Sequence, residues 1–125
     1  MYSVESAQSK RLIVLSAAGR ATTAELQAAA ARVREVVEDF APGFSALVDF
    51  RWMETMETGA APHIAEIMKT LAAKQVAHVV RVMPDPRKDI GLNILSQFHY
   101  GPEIRVMTFV TLAEAFESLL GMAEA

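Results

Sequence analysis

The sequence predicts an α/β domain in which a mostly parallel five-stranded sheet alternates with four helices. Two observations carry this. Apolar-rich segments of strand length recur at 12–15, 44–50, 76–83 and 104–110, with few charges inside them, as in strands covered on both faces. Between them lie longer stretches with helical periodicity, set off by Pro and Gly. Strands that alternate with helices imply parallel pairing and right-handed crossovers. The 125 residues, 52% apolar and 22% charged, fit one globular domain spanning 1–125.

In order, Tyr2 to Ser6 alternates weakly and predicts a short edge strand, antiparallel if any is, and 7–10 a polar turn. Leu12-Ile13-Val14-Leu15 is the first central strand, closed by Gly19. Thr22-Thr23-Ala24-Glu25 carries a capping box, in which a Thr hydroxyl and the Glu carboxylate satisfy each other's backbone N–H groups. The helix it starts runs to about Phe40, with Leu26, Ala30, Val33 and Val37 on one stripe, and stops at Pro42-Gly43. Phe44 to Phe50 is the next strand, and Arg51 to Ala61 is expected as a loop. Pro62 suits the first turn of a second helix, whose buried face is Ile64, Ile67, Met68 and Leu71. A strand over 76–83 ends at Pro84-Asp85-Pro86, and a helix over 89–98 ends at Tyr100-Gly101-Pro102. A last strand over 104–110 leads through a second capping box, Thr111 to Glu114, into a final helix expected to carry Leu112, Ala115, Phe116, Leu119 and Leu120 inward. The pattern is β-β-α-β-α-β-α-β-α.

Composition narrows the function classes. The formal net charge is −3 and the twelve basic residues are scattered, which argues against nucleic acid, since that affinity needs clustered Lys and Arg. With no cysteine there is no disulfide, thiolate nucleophile or Cys-type zinc site. His63, His78 and His99 match no short metal motif, and neither metal nor cofactor is expected. The first residues lack the basic start and apolar stretch of a signal peptide, and no apolar run spans a bilayer; a cytoplasmic protein without membrane insertion is expected. There is no GxSxG elbow, Walker lysine loop or GxGxxG. Asp49 is a carboxylate at a strand end, with no His, Ser or second carboxylate at an interpretable offset.

The segment Arg51-Trp52-Met53-Glu54-Thr55-Met56-Glu57 stands out, with the one Trp and two of the seven Met. In a parallel sheet it falls at the C-terminal ends of strands, where open α/β proteins bind ligands and partners. Trp, Arg and Met are enriched in interface cores. Two readings stand: Trp52 and Met53 fold back over the core, or Arg51, Trp52, Met53, Glu54, Glu57 and Thr58 form an interaction surface. Arg20, Arg87 and Lys88 follow other strands and would line the same rim as anion contacts.

The order of elements, with the Gly19-to-Leu26 turn (GRATTAEL), Phe44 to Phe50, Val79 to Pro86 (VVRVMPDP) and Thr111 to Ala115 (TLAEA), resembles the SpoIIAA-like, STAS-related domains over nearly the whole chain. The resemblance implies a non-enzymatic regulatory or protein-interaction module with a protein partner. In phospho-regulated STAS domains a Ser in an Asp-Ser-Ser-Gly motif starts the helix after the central strand; the matching stretch here is Glu57-Thr58-Gly59, so Thr58 is the implied phosphoacceptor. Glu replaces Asp and one Ser is missing. The plainer reading is that Thr58 caps that helix or belongs to its lead-in turn. The fold is also similar to part of the CRAL-TRIO lipid carriers, which implies as an alternative a carrier of a small apolar ligand; a small enzyme ranks last. A homodimer through the edge strand or the Trp52 segment is a further expectation.

Overall fold

Each predicted strand and helix forms, in the predicted order. The computed structural model describes residues 1–124, and the side chains of all of these except 86, 89, 90 and 122–124. The elements are β1 (Tyr2–Ala7), β2 (Leu12–Ala21), α1 (Thr23–Val37), β3 (Ser45–Met56), α2 (Ala61–Ala73), β4 (His78–Val82), α3 (Pro86–His99), β5 (Arg105–Phe109) and α4 (Leu112–Glu124). The strands lie side by side in chain order; β1 runs antiparallel to β2 and the other pairings are parallel.

Two hydrophobic clusters divide the sheet faces. On the inner face Ile13, Leu15, Ala46, Phe50 and Val79 pack with Leu26 and Val33 of α1, Ile64 and Leu71 of α2 and Leu92 of α3. On the outer face Leu47, Val80 and Val82 pack with Ala115, flanked by Leu112 and Leu119 of α4. Strand alternation therefore sends Leu47 outward and Ala46 and Phe50 inward. Three helices cover one face and a single helix the other.

The capping box forms as the sequence predicts: Thr22 Oγ1 accepts from Glu25 N at 3.1 Å and Thr22 N donates to Glu25 Oε1 at 3.3 Å. Thr22→Ala should lower stability by about 1 kcal/mol, seen as a lower urea midpoint with an unchanged m-value. The helix ends at Val37, three residues short of the expected Phe40. Phe40 instead stacks on Phe44, ring centroids 5.0 Å apart. Gly43, at φ +90, makes the left-handed turn between them.

The larger departure concerns 51–61. Residues 51–56 are not a loop: β3 continues through Met56, paired with a β2 that itself continues to Ala21. Two register shifts, between Ser16 and Ala18 and between Gly19 and Arg20, each place one extra residue in β3. Such bulges bend and twist a strand, and the polar, irregular pattern of 51–56 reflects them. β4 ends at Val82, opposite Asp49, so the extension of β3 has a strand neighbour on one side only.

Candidate interaction surface

The β2–β3 extension positions the sequence-predicted residues. Trp52 lies opposite Ala18 and Met53 opposite Gly19. Ala18 belongs to the outward-facing set of β2, because Ile13, Leu15, Ala17 and Ala21 are the buried ones. Trp52 thus stands on the outer face, 67% exposed, while Met53 is 7% exposed and joins the inner core. Met53 therefore folds back over the core, as the first reading of this segment expects, and Trp52 does not.

Arg51 fixes the local geometry. Its Nε donates to Asp49 Oδ1 at 3.0 Å and its Nη2 to Asp49 Oδ2 at 2.9 Å, while its backbone N–H also reaches Oδ1 at 3.0 Å. The guanidinium carbon sits 5.5 Å from the Trp52 ring centroid, a cation–π contact. Burial opposes ionisation of Asp49, but the Arg51 hydrogen bonds and charge outweigh it and hold the carboxyl below its usual range. A carboxyl depressed in the folded state stabilises the fold above its unfolded pKa and loses that contribution as pH falls through the folded value. Comparing Asp49→Asn with wild type by urea unfolding, the difference should be full at neutral pH and shrink below about pH 4.

Glu57 and Thr58 lie at the tips of the strands, on the α1 side. Glu57 Oε1 accepts from Thr23 N, the first amide of α1, at 2.8 Å, and its other oxygen meets Arg20 Nη2 at 3.3 Å. The negative charge sits where the dipole of α1 favours it. Thr58 is exposed and opens a 3-10 turn, Thr58–Ala60, that leads into α2. The cap position of α2 is Ala60, with no side-chain cap bond, so Thr58 belongs to the lead-in turn and does not cap the helix. A Cβ on Gly59 would come within 2.8 Å of Thr23 Oγ1; the turn is pressed against α1. Arg20, Thr55, Met56, Glu57, Thr58 and Gly59 line a shallow depression at this rim.

The three basic residues expected to contact an anion have other partners. Arg20 pairs with Glu57, and Arg87 with Asp85 at 3.2 Å. Lys88 Nζ bonds the carbonyls of Met53 at 3.1 Å and Glu54 at 2.9 Å. The ammonium thereby ties the first turn of α3 to the open side of the β3 extension. Glu54 is exposed beside it.

Sequence reasoning missed Arg81, which is 2% exposed on the inner face of β4. Its Nη1 donates to Ser96 Oγ at 2.6 Å and its Nη2 to Asn93 Oδ1 on α3. Burial pushes the nearby Tyr100 phenol well above its usual range. An Arg amid Val79, Val80 and Val82 gives no warning in sequence of which face it takes.

His78 lies apart from Asp49 and Arg51. His78 pairs with Ser45 and Arg105 at the opposite end of the strands, roughly 13 Å along β3 from Asp49 at strand rise. Among the described residues no group of His, Cys, Asp or Glu could hold a metal ion, and no helix is long and apolar enough to cross a membrane. The apolar cavity between the sheet and the inner helices, which Leu15, Ile67, Met68 and Leu92 help to line, has about 50 Å³. That is a third of the cavity of about 150 Å³ that takes up benzene, too small for the lipid-like cargo of the carrier alternative.

A five-stranded sheet with an antiparallel first strand, three helices on one face and one on the other, and a short turn before α2 define an α/β domain of the SpoIIAA-like fold. Solved structures of that fold align over nearly the full length. One is an uncharacterized protein of the DUF3478 family with a SpoIIAA-like fold from Shewanella loihica PV-4, with a TM-score of 0.70 and 15% identity over 95% of this chain and 92% of that one. Another is the anti-sigma factor antagonist SpoIIAA in its unphosphorylated form, with a TM-score of 0.66 and 15% identity over 97% and 99%. A third is an anti-sigma factor antagonist from Mycobacterium paratuberculosis, with a TM-score of 0.61 and 20% identity over 96% and 93%. No protein-family model matches the chain, and no curated protein does.

Proposed function

We propose that this protein is a non-enzymatic regulatory module that works by binding another protein, with its contact surface at residues 51–59 and the start of α2. The observation that carries the reading is Trp52: a large aromatic side chain, 67% exposed, held in place on a strand by an Arg51 that is itself anchored to Asp49. An anchored, exposed Trp meets a partner with little further loss of side-chain entropy. The fold shared with anti-sigma factor antagonists supports a role of the same general kind.

Thr58 is the point of control in this reading. A phosphate there would add between about 1.5 and 2 negative charges. It would face the neighbouring Glu57 carboxylate and compete with it for Arg20, loosening the turn from α1.

Wild type, Trp52→Ala, Thr58→Ala and Thr58→Glu would each be immobilised and exposed to extract of the native host. A partner should be retained by wild type and Thr58→Ala and lost with Trp52→Ala and Thr58→Glu. Equal retention by all four folded proteins would end the proposal.

A further inference from the structure

The outer face of the sheet is only half covered. α4 packs on β3, β4 and β5, Leu12 and Val14 of β2 meet the edge of that cluster and stay half-buried, and among the described residues no other helix lies on that side. The outward residues of β2 are Leu12, Val14, Ser16 and Ala18, and those of β1 include Ser3 and Glu5; Ser3 and Ser16 bond to each other through their hydroxyls at 2.7 Å. The floor they make is small and weakly polar. It is two strands, about 10 Å, wide, the diameter of one α-helix.

α4 supplies a wall. Ser118 lies over Met107 on β5, Oγ to Sδ 3.8 Å, so that flank of α4 faces the β5 edge. At 100° per residue, Phe116 and Leu120 stand on the opposite flank, toward β2. They are 45% and 64% exposed, which is unusual for two neighbouring large apolar side chains beside an open sheet. Trp52, opposite Ala18 on the same outer face, closes the C-terminal end.

Two carboxylates stand along the sides of this shelf. Glu5 lies on its outer edge, and Glu117 on the crest of α4 beside Leu120; both are exposed, and neither makes an ion pair among the described residues. A second copy of this chain is a poor occupant. Its own α4 (LAEAFESLLGMAE) carries carboxylates and no Lys or Arg, so laid on the floor it would set like charges beside Glu5 and Glu117.

We infer that the shelf formed by β1, β2 and the Phe116–Leu120 flank of α4 docks a basic amphipathic helix of a partner protein. The inference rests on reading the chain as a protein-interaction module, and extends its surface well beyond Trp52. The helix would fill the missing half of the outer layer, with its apolar stripe on Leu12, Val14, Phe116 and Leu120 and its Lys or Arg residues over Glu5 and Glu117. From Leu12 to Ala18 the floor is about 20 Å long, room for about 13 residues of helix.

The test is an NMR titration of isotope-labelled protein with a synthetic amphipathic helix of Leu and Lys, about 14 residues long. Amide shifts are expected at 12–18 and 116–120 and at the Trp52 indole. Binding should weaken roughly fivefold when Glu5→Lys and Glu117→Lys are combined and about tenfold in Leu120→Asp, with thermal unfolding unchanged. An equally tight Leu and Glu peptide, shifts confined to the exposed Ile94 and Phe98 of α3, or self-association of the protein through these same residues would each overturn the inference. So would capture of a host partner that needs Trp52 but is indifferent to Leu120→Asp; that outcome would leave the interaction-module reading intact and remove only the shelf.

Discussion

Phe44→Ala should lower the unfolding free energy by about 3–5 kcal/mol, the largest loss expected from a single truncation among the residues considered. Phe44 is fully enclosed and stacked on Phe40, at the point where the chain leaves α1 and enters β3. Its carbonyl also accepts from Ala77 N at 2.8 Å, so the residue ties the start of β3 to the approach to β4. Truncation removes the ring's transfer energy and leaves a void that a parallel sheet braced by three helices cannot close. Urea unfolding followed by circular dichroism should show the midpoint fall steeply with little change in m. Phe98→Ala provides the internal comparison. The same side chain on α3 is 80% exposed, and its removal should stay within about 0.5 kcal/mol. Similar effects at the two sites would mean that the Phe40–Phe44 stack does not anchor the core.

Trp52→Ala should do the reverse, leaving stability within about 0.5 kcal/mol of wild type while weakening partner binding by about 30-fold or more, the range of an interface anchor. Two thirds of the side chain is in solvent, and the Arg51–Asp49 pair that supports it keeps its own hydrogen bonds when the indole is gone. As the one tryptophan in the chain, Trp52 also reports directly on its surroundings. Fluorescence of the free protein should be that of a wet indole, readily quenched by iodide, and should move to shorter wavelength with loss of quenching when partner is added. A large drop in stability would instead return Trp52 to the core.

The fold was legible because its signals are local. The Thr22–Glu25 capping box, the Pro42-Gly43 stop and the apolar segments at 12–15 and 76–83 each specify their own conformation and agree with one another. The 51–56 segment reads as a loop because two bulges break the strict alternation by which a half-exposed strand is recognised. Its mixture of Trp, Met, Glu and Thr resembles a loop until the ladder with β2 is known. Phe116 and Leu120 share the apolar periodicity of Leu112, Ala115 and Leu119, which places them on the buried side of the last helix. In fact α4 covers three strands and not five, and its flank stays open.

The amino-acid order alone determined the sequence of strands and helices, their caps and stops, and the mainly parallel sheet, since each follows from residues close together in the chain. Only the tertiary structure decided which side each residue took. It sent Trp52 outward and Met53 inward through a bulge, seated Glu57 on the first turn of α1, buried Arg81 beneath α3, and left half of one sheet face bare. Those outcomes depend on register and on how far one helix reaches across a sheet, which are set by contacts between residues distant in sequence.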